Sequence, residues 1–263
     1  PQKADFTFYG GIYRDAWLVV VSKDHFDMDY FGGPGFQVTP TVDGKDGKVR
    51  VQSWTNVKDP EVTVTLTDAD GKTVASGKGT DVELVIPRVH LWDGVEDPYL
   101  YTATLQLVED GKPVDEVSCR FGVRSFRVDP KEGFFLNGRK YPLHGVSRHQ
   151  DRRGIGNALP KEMHIGANTI RLAHYQHAQY FYDLCDEYGM IVWAEIPYIS
   201  EHMPNGRENT ISQMKELITQ NYNHPSIVCW GVSNEITIST KDKADMLDNH
   251  RVLNDLCHEM DKT

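Results

Sequence analysis

The hydrophobic pattern of this chain changes character near residue 125, and that change limits what its 263 residues can fold into. Before it, short segments of alternating apolar and polar residues are separated by turn dipeptides such as Asp43-Gly44, Asp70-Gly71 and Asp110-Gly111. Alternation with a period of two, broken by such turns roughly every 8–12 residues, is typical of an antiparallel sandwich. About seven strands fit between residues 34 and 125, which predicts an immunoglobulin-like β-sandwich over that range.

After residue 125, near-continuous apolar runs alternate with amphipathic segments. The runs predicted as buried strands are 141–146, 168–172, 190–196 and 226–232, and the predicted helices are 178–188, 211–222 and about 242–260. Buried strands that alternate with helices are typical of βαβ units around a parallel sheet. Residues 126–263 are therefore predicted to be α/β, in contrast to the all-β part before them.

Two segments fit neither pattern. Residues 1–33 contain one apolar run, Ala16 to Ser22, which is predicted as a strand, and a glycine- and proline-rich linker follows it. Because a single strand pair does not fold alone, residues 1–33 are predicted to be the end of a preceding β-domain. Between His149 and Asn168, only six residues could be helical, whereas a parallel crossover needs about a dozen. We therefore expect residues to be missing from that join.

The charge and cysteine content narrow the class of function. The chain has 28 basic and 38 acidic residues, a formal net charge of −10, so we expect no nucleic-acid partner. It has no apolar run near the roughly 18 residues of a membrane span, so we expect no membrane partner. The four cysteines form no CxxC pair and are predicted to be reduced core thiols. The first residues lack a signal-peptide pattern, which favours a cytoplasmic location.

Polar side chains follow the predicted strands of the second part of the chain. The pair Asn234-Glu235 comes directly after a buried strand, and the ends of two earlier strands carry His149, Arg171 and His174. In a parallel barrel, active sites are built at these carboxyl ends of the strands. A helix cap or a surface turn would explain the Asn-Glu pair equally well on its own. The recurrence of polar groups at successive strand ends is therefore stronger support for an active site than the Asn234-Glu235 pair alone.

Several motifs occur in order along the chain. They are Gly10-Gly11-Ile12-Tyr13-Arg14-Asp15, Phe121-Gly122-Val123-Arg124, Phe135-Leu136-Asn137-Gly138, Gly145-Val146-Ser147-Arg148-His149, Gly166-Ala167-Asn168-Thr169-Ile170-Arg171, His174-Tyr175 and Ser233-Asn234-Glu235. With these motifs the chain resembles glycoside hydrolase family 2, and most closely its bacterial β-galactosidases. The resemblance implies a multidomain protein that combines all-β and α/β parts: the end of a jelly-roll domain over 1–33, an immunoglobulin-like β-sandwich over 34–125 and the first half of a (β/α)8 TIM barrel over 126–263.

The resemblance also implies roles for individual residues. Glu235 matches the general acid/base of the family, and Asn234 matches the neighbour that binds the sugar 2-hydroxyl. His149 and His174 match histidines of the sugar pocket, and Arg171 matches an active-site arginine. The nucleophilic glutamate of the family lies on a later strand and has no counterpart in this chain.

The resemblance does not supply a metal site. Some galactosidases of the family bind magnesium through a Glu-x-His motif after the third strand, whereas this chain reads Ser200-Glu201-His202. Because the spacing is shifted, magnesium stays open, no metal ligand is assigned and no other cofactor is expected. Glu201 and His202 are instead expected to lie in a solvated loop.

Each candidate also has a purely structural interpretation. Arg171 could form an ion pair with Glu195 on the next strand, His149 could be a loop histidine, and His174 could be a core histidine with satisfied hydrogen bonds. For Glu195, support of the site is expected rather than direct catalysis.

The function expected from the resemblance is retaining hydrolysis of terminal non-reducing β-D-galactose residues, with a β-galactoside as substrate and a homo-oligomer as the full-length form. β-Glucuronidase or another family 2 glycosidase is the alternative within this class, and a non-catalytic carbohydrate-binding scaffold is the alternative outside it. A retaining mechanism needs two carboxylates, so the chain by itself is expected to be inactive.

Overall fold

A computed structural model describes residues 11–12, 16–150 and 167–263. Most of the join between His149 and Asn168, for which missing residues are expected, lies outside the described residues, as do most residues of the first motif.

The part of the chain between residues 36 and 121 forms the predicted β-sandwich. Its strands are β1 (Phe36–Asp43), β2 (Asp46–Ser53), β3 (Glu61–Thr67), β4 (Thr73–Lys78), β5 (Asp81–Ile86), β6 (Tyr101–Glu109) and β7 (Lys112–Phe121). One sheet has the order β1-β2-β5 and the other β4-β3-β6-β7, and neighbouring strands are antiparallel. Alternate residues of β3, among them Val62, Val64 and Leu66, are buried between the sheets, as the period of two predicts.

The turn dipeptides act as the sequence predicts. Asp110 and Gly111 connect β6 to β7 with φ angles of 48° and 74°. Positive φ at both central positions matches the right-handed twist of the flanking strands, which is why Asp-Gly is favoured in such hairpins.

The strand predicted for Ala16 to Ser22 is wrong. The structure assigns no strand to this segment, and the side chains of Trp17 and Leu18 are 83% and 92% exposed. An extended segment becomes a strand only when a partner satisfies its backbone groups, and the described residues present none to it. The following residues do join the sandwich, because Phe26 forms a bridge to Thr55 and is fully buried in the sandwich core.

A small antiparallel sheet connects the sandwich to the α/β part. It consists of β8 (Phe126–Asp129), β9 (Gly133–Leu136) and β10 (Arg139–Lys140), in the order β10-β9-β8. Trp92 of the sandwich packs with residues of this sheet and with the parallel sheet, and its indole N–H donates to the carbonyl of Asp186 at 2.9 Å.

The α/β part contains four parallel strands and three helices in the described ranges. The strands are β11 (Gly145–Arg148), β12 (Thr169–Leu172), β13 (Ile191–Glu195) and β14 (Ile227–Gly231), in the order β11-β12-β13-β14. The helices are α1 (Gln179–Glu187), α2 (Arg207–Asn221) and α3 (Lys243–Met260). Apolar side chains of both kinds of element form one core, including Ile170, Val192 and Leu217. The predicted fold class, a sandwich followed by part of an α/β barrel, is confirmed.

Arg124 holds the sandwich against the base of the parallel sheet. Its guanidinium donates to the carbonyl oxygens of Pro225 at 2.5 Å and Ile227 at 2.7 Å. Burial lowers the pKa of Arg124 to about 10, which leaves the group charged at neutral pH. Arg124 thus lies at the amino-terminal end of the strand, because Ile227 begins β14.

Two expectations from the composition concern the state of the cysteines and the character of the helices. All four cysteines are unpaired, as predicted, and burial raises the pKa of the Cys229 thiol to about 11. Among the residues that the structure describes, none of the helices combines the length and the apolar character that a bilayer crossing requires.

Candidate active site

The predicted site residues lie at one end of the parallel sheet. Arg171 is the third residue of β12, Glu195 ends β13, and Asn234 follows β14 by three positions. Because the four strands run parallel in neighbouring order, their carboxyl ends meet on the same rim. The structure therefore brings together the strand-end residues that the sequence singles out.

An ion pair between Arg171 and Glu195 forms the centre of the site. The Nε atom of Arg171 donates to Oε1 of Glu195 at 2.5 Å, and the Glu195 side chain is fully buried. A buried carboxylate is stable only when it is paired and hydrogen-bonded. The ion pair between Arg171 and Glu195, which is the structural interpretation of Arg171, is therefore confirmed, and the supporting role of Glu195 stays a prediction.

Arg171 has a second contact that the ion pair alone does not predict. A terminal nitrogen of its guanidinium donates to the amide oxygen of Asn234 at 2.7 Å. Since a guanidinium presents several donors in a rigid plane, it can bind the carboxylate and the amide at once. The amide oxygen is thereby occupied, which leaves the amide nitrogen of Asn234 to donate to a ligand.

His174 completes the network around Glu195. Its Nδ1 atom lies 2.8 Å from Oε2 of Glu195 and 3.3 Å from a terminal nitrogen of Arg171. Because a carboxylate only accepts and a guanidinium only donates, the shorter contact requires a proton on Nδ1 that His174 donates to Glu195. His174 is thus held as a hydrogen-bonded histidine at the rim, and the peptide bond that precedes it is cis.

His149 lies beside His174. The two imidazole rings are 5.0 Å apart between centroids and meet edge to face, and the ring of Tyr175 lies 6.1 Å from that of His149. His149 directly follows the end of β11, so both histidines belong to the same rim as Arg171. The geometry brings His149 to the site, while its contact with a sugar stays a prediction.

Glu235 sits in an exposed turn after β14. Its φ angle is 50°, in the left-handed region, and its side chain is exposed. The preceding residue is held by the main chain, because the Asn234 N–H donates to the carbonyl of Tyr198 at 2.9 Å and the Ser200 N–H donates to the carbonyl of Asn234 at 3.0 Å. The turn thus places Glu235 at the same rim as Arg171 and His174, while its role as the acid stays a prediction.

The expectation that His202 lies in a solvated loop is wrong. Its side chain is 1% exposed, and its two ring nitrogens lie 2.5 Å from the hydroxyl of Tyr198 and 2.6 Å from a carboxylate oxygen of Asp245. Glu201 is exposed, as expected. Sequence reasoning missed His202 because its partner Asp245 lies 43 positions away on another element, and no local pattern in the sequence marks that contact.

The residues after β13 do not fit a magnesium ion. Magnesium prefers carboxylate, carbonyl and water oxygens, whereas both nitrogens of His202 are engaged by Tyr198 and Asp245. Ser200 stands where the Glu-x-His motif of the resemblance would require the carboxylate. The chemistry of the site is therefore derived without a metal.

Trp193 is a further residue that sequence reasoning passed over. The guanidinium of Arg171 lies 5.3 Å from the centroid of its ring, and the side chain is 43% exposed. Trp193 is two residues before Glu195 on β13, so a period of two places both on the same face of the sheet. That period was the available signal, and it was obscured because Trp193 lies in a continuous apolar run.

Comparisons with known proteins give consistent matches. The family model described as "Glycosyl hydrolases family 2, TIM barrel domain" matches residues 127–263, and the model described as "Glycosyl hydrolases family 2" matches residues 34–124. A β-glucuronidase from Bacteroides fragilis is 39% identical over 90% of this chain and 39% of its own length. A β-galactosidase from Bacteroides ovatus is 31% identical over 90% of this chain and 31% of its own length.

Solved structures resemble the chain as a whole. The crystal structure of an FMN-binding β-glucuronidase from Faecalibacterium prausnitzii L2-6 covers 100% of this chain and 43% of that protein, with 43% sequence identity and a TM-score of 0.92. The chain thus spans between about a third and about two fifths of the length of these relatives.

Proposed function

Because the chain belongs to glycoside hydrolase family 2, we propose that the whole protein hydrolyses β-glycosides and that its preferred substrates are β-D-glucuronides. The observation that carries the sugar assignment is the 43% identity over the whole chain to a protein described as a β-glucuronidase, followed by 39% to a second. The β-galactosidase expected from the sequence motifs becomes the second candidate, since the β-galactosidase from Bacteroides ovatus is less similar, at 31% identity.

Glu235 is the proposed general acid. Cleavage of a glycosidic bond needs a carboxylic acid that protonates the leaving oxygen while positive charge develops on the sugar. Glu235 is an exposed residue at the rim, and the neighbouring Asn234 retains an amide nitrogen that can donate to a sugar hydroxyl. Acid and amide therefore face a bound sugar from adjacent positions of one turn.

The buried network below the turn orients these groups. Arg171 binds Glu195 and Asn234 together, and Glu195 accepts from His174. A retaining mechanism also needs a nucleophilic carboxylate about 5–5.5 Å from the acid. Glu195 is fully buried and bound to two donors, so we assign it to support and propose that the nucleophile is supplied by the remainder of the whole protein.

A panel of 4-nitrophenyl β-D-glycosides, presented to the whole protein, tests the proposal. We expect turnover of the glucuronide with kcat/KM at least about tenfold above that of the galactoside, because recognition of a substrate carboxylate contributes on the order of one charged hydrogen bond. Faster turnover of the galactoside would replace the sugar assignment by the second candidate. A whole protein that folds and cleaves none of the glycosides would overturn the activity and favour a binding scaffold.

A further inference from the structure

We propose that His202 is a positioning residue for the general acid: its imidazole locks the loop after β13 to the first turn of α3, and the backbone of that loop holds the turn after β14 that carries Glu235. The proposal rests on the proposed function, because it assumes that Glu235 is the acid. It assigns a role to a buried histidine whose hydrogen-bond partners, Tyr198, Thr240 and Asp245, are not among the predicted site residues.

The imidazole of His202 bridges two elements. One ring nitrogen lies 2.5 Å from the hydroxyl of Tyr198, just after β13, and the other lies 2.6 Å from Asp245, in the first turn of α3. A neutral ring with its proton on Nε2 satisfies both partners, since it donates to the carboxylate and accepts from the hydroxyl. The hydrogen bond from His202, assisted by Arg207, holds the pKa of Asp245 below its usual value, so the acceptor stays charged at neutral pH.

Asp245 is itself anchored from a third element. A terminal nitrogen of Arg207, at the start of α2, donates to the other carboxylate oxygen of Asp245 at 2.9 Å. The bridge through His202 therefore ends on a fixed carboxylate rather than on a mobile surface group. Movement of the loop after β13 would have to break this bridge.

The locked loop contacts the residue before Glu235. Tyr198, Ile199 and Ser200 run beside Asn234, with a parallel bridge between Ile199 and Asn234. Main-chain hydrogen bonds flank this bridge on both sides, at 2.9 Å and 3.0 Å. Since Tyr198 also binds the His202 ring, the same residue carries the side-chain lock and the main-chain contact to Asn234.

The backbone of His202 is linked through Thr240 to the residue after Glu235. The backbone N–H of His202 donates to the hydroxyl of Thr240 at 2.8 Å, and that hydroxyl donates to the carbonyl of Ile236. The Ser239 N–H donates to the carbonyl of Ser200 at 3.0 Å. Glu235 is thus held on both sides by contacts that converge on the loop containing His202.

Glu235 requires such support because of its own backbone. A φ angle of 50° is unfavourable for a residue with a side chain, so the conformation persists only where the surroundings impose it. A misplacement of about 1 Å in a reacting group can lower a rate on the order of 100-fold. Loss of the hydrogen bonds of His202 is therefore expected to reduce protonation of the leaving group by Glu235. The hydrogen bonds of Arg171 to Glu195 and Asn234 are expected to stay in place.

The test compares two leaving groups in the whole protein carrying His202→Phe, which keeps an aromatic ring but removes both hydrogen bonds. We expect kcat/KM for phenyl β-D-glucuronide to fall about 10–100-fold, because this leaving group needs protonation, and kcat/KM for 2,4-dinitrophenyl β-D-glucuronide to fall less than about threefold. The control Val64→Ala creates a cavity in the sandwich core, remote from the rim, and is expected to change neither value. Equal losses with both substrates, or no loss, would overturn the proposal.

A second variant covers the case in which His202→Phe does not fold. Tyr198→Phe removes only the hydroxyl partner of His202 and keeps the main-chain contact to Asn234, so a smaller loss confined to the phenyl substrate is expected. An unchanged phenyl rate in Tyr198→Phe, with His202→Phe unfolded, would count against the lock.

Glu235→Gln separates the two proposals. If Glu235→Gln shows the leaving-group difference and the His202 and Tyr198 variants do not, the positioning role fails and the proposed function stands. If Glu235→Gln shows no such difference, the assignment of the acid fails. If the whole protein cleaves only galactosides, phenyl and 2,4-dinitrophenyl β-D-galactoside replace the two glucuronides in these measurements.

Discussion

The guanidinium of Arg171 donates a hydrogen bond to the amide oxygen of Asn234 at 2.7 Å, although the two residues lie 63 positions apart in the chain. The same side chain binds the buried carboxylate of Glu195 at 2.5 Å. One arginine therefore joins the ends of two strands to the turn after a third. The residue that precedes the proposed acid is oriented by a charged network inside the sheet as well as by its own turn.

Replacement of Glu235 by Gln tests the acid itself. In the whole protein we expect Glu235→Gln to lower kcat/KM about 10²–10⁴-fold for a substrate with a poor leaving group, because general acid catalysis is lost. Activated aryl glycosides should lose less in the first step, since their leaving group needs little protonation. Stability should change little because Gln keeps the size and shape of Glu, and pre-steady-state kinetics with both substrates would measure the difference.

Replacement of Arg171 by Lys tests whether the simultaneous hydrogen bonds of Arg171 to Glu195 and Asn234 matter for activity. A lysine keeps the charge but cannot bind the carboxylate and the amide in one plane. We expect a loss of about 10–100-fold in kcat/KM, which corresponds to one charged hydrogen bond of roughly 1.5–3 kcal/mol. Arg50→Lys, in an exposed ion pair with Asp81, is the matched control and should be neutral. If kcat/KM of Arg171→Lys stays within threefold of that of the parent, the simultaneous hydrogen bonds to Glu195 and Asn234 are not needed for activity.

Two glycine variants test the contact between the α/β part and the sandwich. Gly189 and Gly71 both have positive φ, of 69° and 79°. A Cβ on Gly189 would lie 2.0 Å from the carbonyl oxygen of Gly94, whereas a Cβ on Gly71 would meet nothing within 4 Å. We expect Gly71→Ala to cost about 1 kcal/mol for the backbone alone, and Gly189→Ala to cost roughly 1–3 kcal/mol more, measured by denaturant unfolding. An equal loss of unfolding free energy in the two variants would mean that the loop containing Gly94 moves away from the new Cβ without cost.

The pair of His224 and Asp186 predicts a pH dependence of stability. Burial alone would lower the pKa of His224, but the charge of Asp186 and its hydrogen bond at 2.6 Å outweigh burial and raise it. The stabilisation is therefore fully present below the unfolded pKa of about 6.5 and is lost as the pH rises through the higher folded pKa. His224→Gln should thus cost more unfolding free energy at pH 6 than at pH 9. A cost that is the same at both pH values would contradict this interpretation.

The predictions that succeeded depended on local patterns. The period of two in residues such as Val62, Val64 and Leu66 predicted both the strand and its buried face. The Asn234-Glu235 pair was placed at the rim because a residue that follows a parallel strand must lie at its carboxyl end. The strand predicted for Ala16 to Ser22 failed because the same local pattern says nothing about whether a partner strand is present.

The sequence by itself determined most of the strands and helices, though not the strand predicted for Ala16 to Ser22, and it determined the rim where Arg171, His174 and Glu235 lie. Only the tertiary structure decided that Arg171 binds Asn234 as well as Glu195, and that His202 is buried between Tyr198 and Asp245. The physical reason is that backbone periodicity is a property of neighbours in sequence. The partner of a buried polar group is set by distances between elements, and those distances exist only once the elements have packed.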